Sequence, residues 1–291
     1  MAYPRCRAEK RTKIDFHRVI VTTKTSNQKY TGKLAVLYEG RGDILLFRQL
    51  AERLAVPLHQ SLNADTPEDL FLSWRDNCLS LLDSESINKR GLSVDIGHRQ
   101  GEQRTWPIAK SGALAQALGR KTRTVVDATA GWGQDSLAMF RMDYEVSCVE
   151  RSPVMAELLT DGFARLARLD WMRQLNLAPP QLLTGDAIDI LEQLPVQPDC
   201  IYLDPMFPPK RKKSALAKKA IMALRDLVGD DVDKEQLFAT ALKIAGKRVV
   251  VKSPVYAEPL GGRPNEIFQG KLLRYDVYLT QNRVSMKCQS G

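Results

Sequence analysis

After Ala109, short apolar runs alternate with segments whose apolar residues recur at helical spacing. The runs are Thr124 to Asp127, Val146 to Val149, Gln181 to Leu183, Cys200 to Leu203 and Arg248 to Val251. Bounded by turn residues, they predict buried strands. Between the second and third, Ser152-Pro153 opens a helix that sets Met155, Leu158, Leu159, Phe163, Leu166 and Leu169 along one face. Alternating strands and helices predict an α/β fold, a mostly parallel sheet covered on both faces. Leu273, Tyr275, Val277 and Leu279 alternate with period two and predict a last strand, antiparallel at the sheet edge.

Upstream, the pattern is that of a smaller α/β unit. Leu34 to Tyr38 reads as a strand, and Leu46, Leu50 and Leu54 mark a helix over Ile44 to Leu54. Thr66-Pro67-Glu68-Asp69 carries a helix-start signal, with Pro at the first position and acids in the first turn. Leu92 to Ile96 alternates like a strand, and the polar stretch from Gly97 to Arg104 suits a connection. The expected division is a basic extension over 1–32, a small N-terminal α/β domain over 33–104 and a larger domain over 105–286.

Composition narrows the function classes. With 44% hydrophobic and 26% charged residues among 291, the chain is that of a water-soluble globular protein. No apolar run approaches the roughly 20 residues needed to cross a bilayer, and the N-terminus lacks a secretory pattern. A cytoplasmic protein with no membrane partner is expected. Five cysteines without a Cys-x-x-Cys pair, and three unclustered histidines, argue against a disulfide framework and a metal site. Cys148 and Cys200 are expected as small buried hydrophobes. The net charge of +9 is concentrated. Residues 1–33 hold nine Lys/Arg against two Asp/Glu, and Lys210, Arg211, Lys212, Lys213, Lys218 and Lys219 form a second cluster. Charge so placed suggests a polyanionic partner such as nucleic acid, although the N-terminal block taken alone reads better as a solvated tail.

The strand tips carry the candidate chemistry. Val125-Val126-Asp127 leads into a turn with Gly131 and Gly133 and then a helix. Glycines there let the backbone approach a ligand at the carboxyl ends of the strands. Ser136 stands where a dinucleotide fingerprint has its third Gly. Asp127 would repel a pyrophosphate but suits an amino group and a sulfonium. The second strand ends in Glu150, placed for ribose hydroxyls, and the third is followed by Asp186, placed near an adenine ring. Acidic tips without a phosphate-binding lysine fit S-adenosylmethionine better than NAD or ATP.

The fourth strand ends Leu203-Asp204-Pro205-Met206-Phe207-Pro208-Pro209, a variant of the Asp/Asn-Pro-Pro-Tyr/Phe motif of enzymes that methylate exocyclic amines. Such an amine is a weak nucleophile because its lone pair is delocalised into the ring. The Asp204 carboxylate and Pro205 carbonyl can accept its N–H bonds, and Phe207 can stack on the base. The basic cluster that follows would grip phosphates flanking an unpaired or flipped-out nucleotide.

These segments resemble the bacterial small-subunit ribosomal RNA guanine-N2 methyltransferase family called RsmJ. The resemblance rests on residues 125–135, 149–153, 202–208, 214–219 and 247–252, in the family's order. It implies a Rossmann-like methyltransferase domain behind a small N-terminal domain, and methylation of one guanine 2-amino group in 16S ribosomal RNA or the small ribosomal subunit. It also implies cofactor contacts at Gln134, Asp135, Glu150, Arg151, Asp186, Ala187 and Asp204. Gln134 stands where the family more often has Arg. Two other readings remain open: a DNA adenine-N6 or cytosine-N4 methyltransferase using the same motif, and a non-catalytic RNA-binding assembly factor on a methyltransferase fold.

Overall fold

A computed structural model describes residues 33–62, 66–84, 87, 90–97, 106–205 and 233–280. The N-terminal unit is a four-stranded sheet in the order β2-β1-β3-β4. β1 (Leu34–Leu37) is buried throughout and pairs in parallel with β2 (Leu58–His59) and β3 (Leu70–Arg75). Helix α1 (Ile44–Leu54) starts where the Asp43 side chain accepts from the Leu45 N–H at 2.9 Å. Its buried stripe is Phe47, Leu50, Ala51 and Leu54. Leu46, expected on that stripe, is 51% exposed, because Phe47 fills the edge-on ring cluster with Tyr38 and Trp74.

The helix start expected at Thr66 is absent. The chain there leads into β3, whose Leu70, Phe71 and Leu72 are buried, and a two-residue turn returns it as β4 (Cys78–Asp83). Asp76 and Asn77 both have positive φ, as a tight hairpin of this kind requires. Glu68 turns inward to His59 Nε2 at 3.0 Å instead of facing a helix N-terminus. Leu92 to Ile96 forms a single bridge, Leu92 to Leu81, and not a strand. Beyond it the chain leaves the sheet, and the Val94 carbonyl accepts from Arg165 Nη2 at 2.8 Å.

The larger sheet has seven strands in the order β10-β11-β9-β8-β5-β6-β7. Its elements are α2 (Gly112–Leu118), β5 (Thr124–Asp127), α3 (Gln134–Arg141), β6 (Glu145–Glu150), α4 (Pro153–Ala167), α5 (Asp170–Gln174), β7 (Gln181–Thr184), α6 (Ala187–Glu192), β8 (Cys200–Leu203), α7 (Lys234–Ile244), β9 (Arg248–Pro254), β10 (Glu266–Gln269) and β11 (Leu273–Leu279). β5 to β9 run parallel, and β11 is antiparallel to both β9 and β10. The antiparallel strand therefore lies one place in from the edge. The edge is β10, whose largely exposed Glu-Ile-Phe-Gln gives no apolar alternation to read. Each parallel strand divides its side chains between two cores. Val125, Cys200, Tyr202 and Val250 join the core under α4 and the N-terminal sheet, while Val126, Ile201, Leu203, Val249 and Val251 pack on the other face with Leu237 and Phe238 of α7. Cys148 and Cys200 are buried as expected. No described helix is long and apolar enough to cross a membrane.

Candidate active site

The parallel strands all end on one side of the sheet, so their tips border a common space. A cavity of about 590 Å³ opens there, within the roughly 300–1,000 Å³ usual for small-molecule sites. Asp127, Gly131, Gln134, Asp135 and Glu150 line it. So do Arg151, Asp186, Ala187, Asp204 and Pro205. Gly133 does not. It begins α3 with φ of 72°, and a Cβ there would meet Leu159 Cδ2 at 2.7 Å. That glycine allows close packing of α3 on α4. Phe207 and the cluster Lys210, Arg211, Lys212, Lys213, Lys218 and Lys219 lie outside the described residues.

Each tip is held by short polar contacts. Asp127 is buried, accepts from the Thr129 N–H at 3.1 Å and receives the Ser136 hydroxyl. Burial pushes its pKa up to about 7; the Ser136 bond opposes the rise, and Asp135 adds to it. Glu150 ties two segments together: one oxygen accepts from the Gly131 N–H at 2.9 Å, the other from the Ser152 N–H at 2.7 Å. It thereby joins the glycine turn to the start of α4. Asp186 caps α6, accepting from the Ile188 N–H at 2.8 Å, while still facing the cavity. The Asp204 N–H donates to Thr129 Oγ1 at 2.6 Å, which fastens the β8 tip to the β5 turn. Arg151 Nη1 lies 3.5 Å from Asp233.

The sequence reading missed Lys252 at the tip of β9. Its Nζ lies 2.7 Å from Asp135 and 2.9 Å from Asp204. Tyr202 is also a contributor, donating its hydroxyl to Asp135 at 2.7 Å. The available signal was positional: Lys252 follows a buried Val-Val-Val run, as the acids follow theirs. What it touches depends on β9 lying beside β8, which no local pattern states.

This chemistry fits S-adenosylmethionine. Among the described residues carboxylates dominate the cavity's charge, and the two cations there, Arg151 and Lys252, are each met by carboxylates. Such a lining disfavours a phosphate and favours a cationic ligand with an amino group and ribose hydroxyls.

Comparison with known proteins agrees. Residues 55–280 match the sequence family described as "Putative SAM-dependent methyltransferase". A ribosomal RNA small subunit methyltransferase J of Thioalkalivibrio sulfidiphilus is 42% identical, over 80% of this chain and 94% of the relative. Proteins of the same name from Shewanella amazonensis and Coxiella burnetii are 40% and 38% identical, over 74% and 84% of this chain and 89% and 96% of theirs. The crystal structure of a SAM-dependent methyltransferase from Neisseria gonorrhoeae superposes with a TM-score of 0.57 at 25% identity, covering 84% of this chain and 96% of that one. The strand order and the acid-lined cavity are those of a Rossmann-like methyltransferase that uses S-adenosylmethionine. Within that class, the chain belongs to the ribosomal RNA small subunit methyltransferase J, or RsmJ, family.

Proposed function

We propose that this enzyme methylates the exocyclic 2-amino group of a guanine in small-subunit (16S) ribosomal RNA. The observation that carries the reading is the position of Asp204-Pro205: the β8 tip opens onto the cavity bordered by Gly131, Glu150 and Asp186. The relatives' name supports ribosomal RNA as substrate, and the family resemblance supports the guanine 2-amino group. Glu150, Asp186, Gly131 and Asp127 would hold S-adenosylmethionine, which supplies an electrophilic methyl group on a sulfonium. With methyl transfer the S–CH3 bond would break and the sulfonium would depart as a neutral thioether, a good leaving group that needs no metal to activate it.

The chain's own residues act on the acceptor. The Asp204 carboxylate and the Pro205 carbonyl take the amine's N–H bonds and draw its lone pair out of conjugation. They also stabilise the positive charge that grows on nitrogen as the new bond forms, and the surplus proton then leaves to water. Because no covalent intermediate is needed, alignment should supply much of the rate. Phe207 is proposed to stack on the base and the Lys210 to Lys219 cluster to hold flanking phosphates. The same proposal treats residues 33–104 as a small α/β unit, 105–286 as the catalytic unit and 1–32 as a basic extension, and places the enzyme in the cytoplasm.

The direct test supplies labelled S-adenosylmethionine with small-subunit RNA from cells lacking the modification. N2-methylguanine should form, and Asp204→Ala should abolish it while S-adenosylmethionine still binds. Label appearing only in DNA or in protein would overturn the substrate assignment.

A further inference from the structure

Lys252 sits between two carboxylates from different elements. Asp135 belongs to the first turn of α3 and Asp204 follows β8, yet both lie within 2.9 Å of one ammonium nitrogen. Asp135 is itself fixed by the Tyr202 hydroxyl, from a side chain that is fully buried. The polar sequence runs from Tyr202 to Asp135, to Lys252, to Asp204. Other titratable groups facing it are Tyr275, the cross-strand neighbour of Lys252, and Asp127 at the β5 tip. Among these described groups Lys252 is the single cation amid three carboxyl groups.

Two carboxylates brought this close without a cation repel, and the repulsion favours protonation of one of them. A protonated Asp204 offers a hydrogen-bond donor where the proposed mechanism needs an acceptor. Resting on the methyltransferase reading above, we propose that Lys252 is a positioning residue: it keeps the Asp204 carboxylate ionised and aimed into the cavity, as an acceptor for the target amine. Lys252 does not receive the proton of the reaction. Burial works against its charge, but Asp204 and Asp135 outweigh that and its pKa is raised, so it stays an ammonium throughout.

The test compares wild type, Lys252→Met, Lys252→Arg and Asp135→Asn in single-turnover methylation of small-subunit RNA, with cofactor and RNA saturating, across the neutral pH range. Cofactor affinity is read by calorimetry and folding by thermal melting. K252M should lose about 100-fold or more in rate near neutrality, with cofactor affinity changed by less than about threefold. Its acid limb should move up by about one pH unit or more, because the Lys252 charge no longer stands between Asp204 and Asp135. K252R should recover to within about tenfold of wild type. D135N should move the limb in the opposite direction, since Lys252 then serves Asp204 alone. If K252M does not fold, K252R, whose limb should stay near that of wild type, and D135N, whose limb should move down, carry the comparison.

The inference is overturned if the acid limb stays put in every variant. It also fails if the K252M rate loss merely follows lost cofactor affinity or a lowered melting temperature. Should wild type itself fail to label the RNA while binding cofactor, the functional reading fails instead, and the two failures are thereby distinguishable.

Discussion

Asp127 makes stability depend on pH in an unusual sense. Most carboxylates in a fold are paired, and stability falls as pH drops. Asp127 is buried, and its pKa is pushed up to about 7 from 3.8. The folded state therefore keeps a proton that the unfolded chain releases, and stability falls as pH rises from about 4 to about 7. Full ionisation in the fold costs roughly 4 kcal/mol, of which about 2 kcal/mol is expressed between pH 5 and pH 7. Asp127→Asn removes the titration while keeping the shape. Urea unfolding of wild type and D127N at several pH values isolates this group, because other titrations cancel in the difference. Relative to the variant, wild type should lose about 2 kcal/mol between pH 5 and pH 7. A difference that is flat with pH, or that rises, would refute the argument that burial dominates at Asp127.

Other perturbations test other parts. Asp276 is fully buried and pairs with the nearly buried Arg274 at 2.8 Å, so Asp276→Asn should strand that cation and cost about 3 kcal/mol by urea unfolding. Gly133→Ala should lower stability by about 1–3 kcal/mol, since the added Cβ meets Leu159 and φ is positive; an unchanged melting curve would contradict the packing role. Glu150→Ala releases both the Gly131 and Ser152 N–H groups and should weaken cofactor binding by about tenfold or more in calorimetry. Replacing Lys210, Arg211, Lys212 and Lys213 by Gln should weaken RNA binding and reduce its log–log salt slope by roughly 0.7–0.9 per lost phosphate contact; an unaltered slope would return the cluster to ordinary surface.

What the sequence disclosed follows from how local each signal is. β5, β8 and β11 match the expected runs residue for residue, β5 and β8 because they are short apolar runs bounded by turn residues. In β11 the alternation located the strand but not its buried face: Leu273 and Leu279 are exposed, whereas Arg274, Asp276 and Tyr278 are buried. Helix α4 begins at the expected Ser152-Pro153 and buries the expected stripe, with Leu169 just past its end. The tip residues Asp127, Glu150, Asp186 and Asp204 converge because parallel order places consecutive tips together. Failures arose where tertiary pairing overrode a local signal. Pro67-Glu68-Asp69 has the grammar of a helix start, but pairing with β1 and β4 claims Leu70 to Arg75. Lys252 went unread because its partners lie 48 and 117 residues away.

Helix α4 has two masters. Its first turn follows the Glu150 anchor, and its flank carries the N-terminal sheet: Glu157 binds Arg53, Asp161 takes the Leu79 N–H, and Gly162 leaves room for Val94. Anyone seeking a minimal catalytic fragment by cutting near residue 106 would strip that flank and leave an apolar strip open to water. Grafting the front unit of one relative onto the back of another succeeds only when the graft brings a matching α4 surface. The two sheets exchange as a pair.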